Sequence, residues 1–385
     1  MGFEKMDYRE ILRFIRELYS TEDFIPLHVP HFGGNEKAYL HECIDSTFVS
    51  SVGKYVDKFE EELASYIGSK RAVAVVNGTS AIQVALRLAG VKPGEEVITQ
   101  PLTFVATCNA VRYLYAEPVF VDVDRDTMGL SPERVRSFLA GYGKREKDGL
   151  YNRETGRRIA ACLPMHTFGH PARIEELNEV CREYDIPLIE DAAESIGSYS
   201  NGLHTGRTGL MSVFSFNGNK TITTGGGGMI CTDNEDIADK AKYLTTTAKK
   251  PHKWEFYHDE LGYNFRMPNI NAALGCAQLE MLPGFLENKR QTALEYKAFF
   301  DPIEGVRFVE ERENTRVNYW LNCLLFEDPQ HRDEFLHYSN EHKVMTRPIW
   351  TLMYKLPMYK DSFRTDTANA EWLEKRVVNI PSSVR

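Results

Sequence analysis

The chain has 385 residues, 42% of them hydrophobic and 26% charged, a composition expected of a soluble globular protein too long for one ordinary core. Its net charge of −9 argues against a general nucleic-acid surface, and no apolar run approaches the roughly 18 residues needed to cross a bilayer. Seven cysteines lie far apart without a Cys-x-x-Cys pair, which argues against a zinc site or a disulfide framework; with no export signal in view, a reducing cytoplasm is expected.

Residues 8–19 place Ile11, Phe14, Ile15 and Leu18 at helical spacing among charges, so an amphipathic helix is expected there, within an N-terminal arm of residues 1–24. From 70 to 232, short apolar strands alternate with helical segments. The expected strands are 72–76, 96–100, 118–123, 159–165, 187–191, 211–216 and 228–231, with helical spacing at 81–89 and 174–184. This alternation predicts an α/β fold with a mostly parallel sheet covered on both faces. The polar stretch 141–158 reads as an exposed excursion between strands. After about residue 270 the pattern changes to helices at 271–282 and 283–300, an apolar run at 320–326, and pieces at 333–342 and 346–350. The expected division is therefore an arm over 1–24, a large α/β domain over 25–270 and a smaller α+β domain over 271–385, with a cleft between the two domains.

Ligands of such sheets collect beyond the carboxyl ends of the strands, and three polar motifs fall there. Asn77-Gly78-Thr79-Ser80 ends one strand and opens a helix, which aims backbone amides at an anion; a plain helix cap is the competing reading. Asp191 ends the strand 187–191, and its spacing to Glu194 also suits a capping box. Lys220 follows the strand 211–216 and is flanked by Phe214, Phe216, Ile222 and the run Gly225-Gly226-Gly227-Gly228. That run lacks the Gly-Lys-Thr/Ser ending of a nucleotide loop, so a tight backbone path is expected instead. A lysine to hold an aldehyde, an aspartate to keep a pyridine nitrogen protonated and a turn to hold a phosphate together suit a pyridoxal phosphate (PLP) enzyme. Ser215 could add a hydroxyl to the phosphate, and Phe104 could lie on the ring face or be an ordinary core residue.

The segments 77–81, 101–107, His166-Thr167-Phe168-Gly169, 190–197, 215–228 and Gly262-Tyr263-Asn264-Phe265-Arg266-Met267 resemble the PLP-dependent nucleotide-sugar aminotransferases of the DegT group. These have the fold-type I architecture of aspartate aminotransferase. The resemblance implies that Lys220 anchors the cofactor and shuttles protons, while Asp191 partners the ring nitrogen. It also implies that Ser215 and the turn Gly78, Thr79 and Ser80 hold the phosphate and that Phe104 stacks on the ring. Glu194 stands where many members carry a glutamine near the cofactor's phenolic oxygen, and an ionised glutamate could not donate a hydrogen bond there. Asn264 matches an asparagine that reaches the neighbouring subunit's cofactor, which implies a homodimer. The family includes dehydratases with histidine in place of the lysine, so Lys220 favours amino transfer.

The implied reaction passes the amino group of L-glutamate to PLP, giving pyridoxamine phosphate and 2-oxoglutarate, and then to a ketosugar. Phe24-Ile25-Pro26-Leu27-His28, Ser50-Ser51-Val52-Gly53-Lys54-Tyr55-Val56, Thr223-Thr224 and Asn379-Ile380-Pro381-Ser382-Ser383 resemble the legionaminic-acid and bacillosamine-type branch. That branch implies a UDP-linked 2-acetamido-4-keto-6-deoxyhexose. His166, Arg266, Arg347 and Trp350 are candidates for the sugar or diphosphate, each with a core or interface residue as the alternative. Neither a metal, a nucleic acid nor a membrane is an expected partner. A PLP-binding regulator would want a basic DNA-binding face, and a desulfurase would want a cysteine in a polar loop; neither feature is visible.

Overall fold

The computed structural model describes residues 7–385. Seven strands build the main sheet: β1 (Arg71–Val75), β2 (Glu96–Thr99), β3 (Glu117–Phe120), β4 (Ile159–Leu163), β5 (Ile189–Asp191), β6 (Met211–Ser215) and β7 (Gly228–Thr232). Each lies within a few residues of its expected place. Their spatial order is β1-β7-β6-β5-β4-β2-β3, with β4 joined to β5 through the parallel bridges Cys162–Leu188 and Met165–Asp191. Only β7 runs antiparallel to its neighbours. The strands are apolar throughout because helices cover both faces: Val75, Val97, Val213 and Ile230 meet Ile82 and Ala85 of the helix Gly78–Leu88 on one side. The other side packs Ala74, Phe214 and Met229 against Phe59 and Leu63 of the helix Lys54–Ile67. This is the α/β, fold-type I arrangement that the sequence predicts.

A second, antiparallel sheet has the order β8 (Val306–Phe308), β9 (Asn322–Phe326), β11 (Val377–Ile380), β10 (Arg347–Pro348). The N-terminal helix Tyr8–Tyr19 packs Ile11, Leu12, Ile15 and Leu18 against Phe326 and Phe335 beside this sheet. Its amphipathic pattern is thus explained by a partner within the chain. The stretch 141–158 folds back as a hairpin, Gly143–Glu146 on Gly149–Asn152. It is anchored by the fully buried Asn152, whose amide donates to Glu96 Oε2 at 3.0 Å.

One expectation fails. Residues 271–282 and 283–300 are a single helix, Asn269–Phe300, with Pro283 inside it. Proline removes one helical hydrogen bond, but Leu279, Leu282 and Phe285 are buried on both sides of it, and that burial favours continuing the helix over a break. The unbroken helix joins both packing units. Ala272, Cys276 and Leu282 meet Phe59 and Phe216 near the first sheet. Ala293, Tyr296 and Phe300 meet Phe308 and Phe326 near the second.

The same helix carries Lys289, which is 1% exposed and donates to the backbone carbonyls of Tyr319 (3.3 Å), Trp320 (3.2 Å) and Ser382. Burial pulls its amine down to about 7. The unfolded lysine stays charged up to about pH 10.4, so across pH 7 to 10 the unfolded state binds more protons and stability rises with pH. The melting temperature of the wild type relative to Lys289→Met should therefore climb over that window. A difference that stays flat, or falls as pH rises, would refute the depressed amine.

Candidate active site

Lys220 lies just beyond β6, in a loop whose first turn closes through its own amide on the Asn217 carbonyl at 3.0 Å. Its amine reaches Glu194 Oε1 at 3.1 Å and stands 3.8 Å above the centroid of the Trp320 ring. The Lys220 side chain is 12% exposed and that of Glu194 only 2%, so this is a buried pair and not a surface ion pair. The other oxygen of Glu194 accepts from the Phe168 amide at 2.9 Å. Phe168 is held in the left-handed region at φ 56°, an unfavourable conformation for a large side chain that the surrounding packing must impose. Burial pushes the Glu194 carboxyl above its usual range, while Lys220 and the Phe168 amide pull it back.

Asp191 ends β5 fully buried. Its Oδ2 accepts from the Thr107 hydroxyl at 2.8 Å and its Oδ1 from the Ala193 amide at 3.2 Å. Burial raises this carboxyl too, against Thr107, Ala193 and the nearby Lys220 charge. No helix starts at Asp191; turns follow, which removes the capping-box alternative. One cation and two acids therefore share a pocket at the ends of neighbouring parallel strands.

The turn after β1 meets this pocket through glycine. A Cβ on Gly78 would lie 2.9 Å from the Ser215 Cβ, and one on Gly228 would lie 2.5 Å from the Asn77 carbonyl carbon. The glycine run thus lets β7 pass directly beneath the turn and sets Ser215 against it. Asn77 is the helix cap, its Oδ1 accepting from the Ser80 amide at 2.8 Å. The cap therefore belongs to Asn77, not to Thr79 or Ser80, and the amides left pointing outward are those of Gly78 and Thr79. A phosphate fits this cradle, with Ser215 alongside, and the surplus acid of the pocket suits a protonated ring nitrogen.

Phe104 precedes the helix Val105–Tyr113 and is 48% exposed, its ring 6.3 Å from that of Trp350; it is not a core residue. Trp350 also packs on Phe168 at 4.7 Å. Arg266 is half-buried and bridges Val75 through its backbone, and Asn264 is exposed on the same segment. The structure does not bring His166 or Arg347 to the pocket. His166 is fully buried, its Nε2 3.0 Å from Glu190 Oε2 and its Nδ1 accepting from the Ala172 amide at 3.1 Å, so neither ring nitrogen is left for a sugar. The Arg347 guanidinium is held by Asn340 Oδ1 and the Thr346 carbonyl, both at 2.9 Å, at the end of the helix Pro329–Glu341.

Sequence reasoning passed over Thr107, Trp320 and Asn318. Asn318 Nδ2 donates to the Glu194 and Ile196 carbonyls, each at 2.9 Å, and its Oδ1 accepts from the Trp320 amide at 2.9 Å. The available signal was the polar-aromatic string Asn318-Tyr319-Trp320 at the entry of an apolar strand. Among the described residues no cluster of His, Cys, Asp and Glu could hold a metal, and no helix is long and apolar enough to cross a membrane.

Residues 30–385 match the DegT/DnrJ/EryC1/StrS aminotransferase family. The chain is 35% identical to the GDP-perosamine synthase of Escherichia coli O157:H7 over 93% of both chains. It is 36% identical to the putative pyridoxal phosphate-dependent aminotransferase EpsN of Bacillus subtilis (strain 168), over 93% of this chain and 90% of that one. Among solved structures it resembles the aminotransferase TlmJ from Streptoalloteichus hindustanus with a TM-score of 0.84 and 26% identity, covering 93% of each. The chain belongs to the DegT/DnrJ/EryC1/StrS family and is a pyridoxal phosphate-dependent aminotransferase of fold-type I.

Proposed function

We propose that the protein transfers the amino group of L-glutamate to the keto carbon of a nucleotide-linked sugar, with Lys220 as the proton carrier. The observation that carries this reading is the buried Lys220 amine between Glu194 and the Trp320 face, one strand away from the buried Asp191. When bound, PLP supplies an electron-withdrawing ring that accepts the electron pair left as a proton departs from the substrate carbon. Lys220 takes and returns that proton once its amine is free. Asp191, held by Thr107 and the Ala193 amide, is the residue to keep a ring nitrogen cationic. Glu194 accepts a hydrogen bond from the Lys220 amine and would so keep it in the pocket when it is free to carry the proton. Its second oxygen is occupied by the Phe168 amide, so it acts here as an acceptor, in contrast to the donor expected of a glutamine at this place. The Gly78 and Thr79 amides with Ser215 would hold the phosphate, and the open ring of Phe104 would cover the cofactor face.

For the nucleotide, the names of the relatives support one reading over another. Three, from Escherichia coli O157:H7, Vibrio cholerae and Caulobacter vibrioides, carry the name GDP-perosamine synthase and align over 93% of this chain, which supports a GDP-linked 4-keto-6-deoxyhexose. The segments 24–28, 50–56 and 379–383 favour a second reading, the UDP-linked 2-acetamido-4-keto sugar. The working unit in this proposal is a homodimer in the cytoplasm, with Asn264 extending to the partner's cofactor. Its support is the exposed apolar set Trp254, Phe256, Tyr257 and Leu261 on the segment leading to Asn264, a surface that water disfavours.

The Lys220→Ala protein, mixed with PLP, should lack the visible absorbance of the covalently held cofactor and should release no 2-oxoglutarate; unchanged turnover would overturn the mechanism. Asn264→Ala should remain dimeric by sedimentation yet lose PLP faster on dialysis than the wild type. A fully active monomer would contradict the shared site. With L-glutamate and a panel of GDP-, UDP- and dTDP-linked 4-ketosugars, 2-oxoglutarate should form fastest with the GDP-linked substrate. Preference for the UDP sugar would select the second reading, and turnover with small keto acids alone would refute a sugar substrate.

A further inference from the structure

Among the described residues Lys289 has no carboxylate partner, and it lies outside every motif that points to the cofactor, yet three backbone carbonyls converge on its amine. Two of them belong to Tyr319 and Trp320. Tyr319 is left-handed at φ 48°, so the turn that presents Trp320 costs energy and needs holding. The Asn318 side chain holds it from one side, tying it to the Glu194 and Ile196 carbonyls. Lys289 holds it from the other, tying it to the long helix Asn269–Phe300 and to Ser382, whose own amide donates to Leu27 at 2.7 Å. The Trp320 indole N–H, in turn, donates to the Asn219 carbonyl at 2.7 Å, immediately before Lys220. Trp320 is 4% exposed and its ring face receives the Lys220 amine.

We infer that Lys289 is a positioning residue for amino transfer: it clamps the turn 318–320 so that Trp320 and Glu194 together form the resting place of the free Lys220 amine. The inference rests on the proposed part of Lys220 in moving protons. A free lysine has four rotatable bonds, and a fixed π face on one side and a carboxylate on the other confine its amine. Loss of the Lys289 amine leaves three carbonyls without their donor in a dry interior, which releases the strained turn and with it the ring under Lys220. The charged and titratable groups facing Lys289 are few. His28, whose ring nitrogens have no partner among the described residues, is pulled below the usual imidazole range by burial, then by Lys289 and Lys220. Lys220 itself lies beyond Trp320.

The test is a double-mutant cycle in the PLP-loaded enzyme between Lys289→Met and Trp320→Phe, with Lys289→Gln in place of Met if the Met protein does not fold. Each single change should lower kcat about tenfold with KM for glutamate within about twofold, and the double variant should be no slower than the slower single one. A second readout needs no turnover. When PLP is added to the apo protein, visible absorbance should reach the wild-type amplitude but about five- to tenfold more slowly in each single variant. Wild-type kcat and wild-type rate of absorbance growth in the Lys289 variant would overturn the inference, as would losses that multiply in the double variant. Failure of the wild type to transfer an amino group would instead overturn the reading of the site, and the absorbance rate separates the two cases.

Discussion

The constraint on which this structure turns is the removal from water of one amine and two carboxylates. An unpaired buried charge costs several kcal/mol, and removing one partner of a buried pair typically costs about 3–5 kcal/mol. Lys220, Glu194 and Asp191 meet that cost by sharing one pocket, where backbone amides and a threonine hydroxyl take up the remaining lone pairs. The set still holds one more acid than base, and burial pushes both carboxyls upward. A pocket so composed favours an added cation next to Asp191, which is where a protonated pyridine nitrogen would relieve it. The charge imbalance is thus what the proposed cofactor would correct.

Such a pocket works only if its walls cannot relax. Strand β5 supplies part of that rigidity through the alternation of its side chains. Asp191 faces the pocket, whereas its neighbour Glu190 points through the other face. There Glu190 accepts from the amides of Gly206 and Gly209 at 2.7 Å and of Thr208 at 2.8 Å, and from His166. Despite full burial these donors hold the Glu190 carboxyl below its usual range, so it is a fixed anion that pins the strand end. Two adjacent buried acids thus divide into one that braces the strand end and one that faces the Lys220 pocket, solely by the direction in which each points.

That division explains what the sequence could and could not reveal. Strand ends are visible in apolar runs, so Lys220, Asp191 and the turn at Gly78 were readable, as was the parallel sheet that lines them up. The face on which a side chain emerges was not, which is why His166, three residues past the end of β4, stood as a candidate for the sugar beside the core reading, although Glu190 occupies it. Trp320 lies 100 residues and Lys289 69 residues beyond Lys220 in chain order, and nothing local in Lys289 marks the contact. The unbroken helix at Pro283 was hidden for a related reason. Proline's local penalty is written in the sequence, but the two-sided burial that outweighs it is tertiary.

The unequal legibility of chemistry and substrate has the same physical root. Groups that move protons must be desolvated, and desolvation forces them into a few tightly satisfied arrangements that leave a pattern in the chain. The candidates for contacts outside the buried pocket stay at the rim: Phe104 is half-exposed, Asn264 exposed, and Arg266 only partly covered. Their positions are set less by the fold than by what comes to cover them, whether substrate or a second copy of the chain. Arg347 illustrates the point, since its guanidinium is satisfied by Asn340 and Thr346 in the free chain and would have to leave them to meet a diphosphate. Each released hydrogen bond to a charged group weighs about 1.5–3 kcal/mol against such a move, so a rim arginine already bound within its own domain is a poor candidate for nucleotide recognition. Among the described residues Arg266 has no such commitment to a side-chain partner, and its backbone bridges Val75 at the end of the strand that leads into the Gly78 turn, which makes it the stronger candidate of the two for a diphosphate.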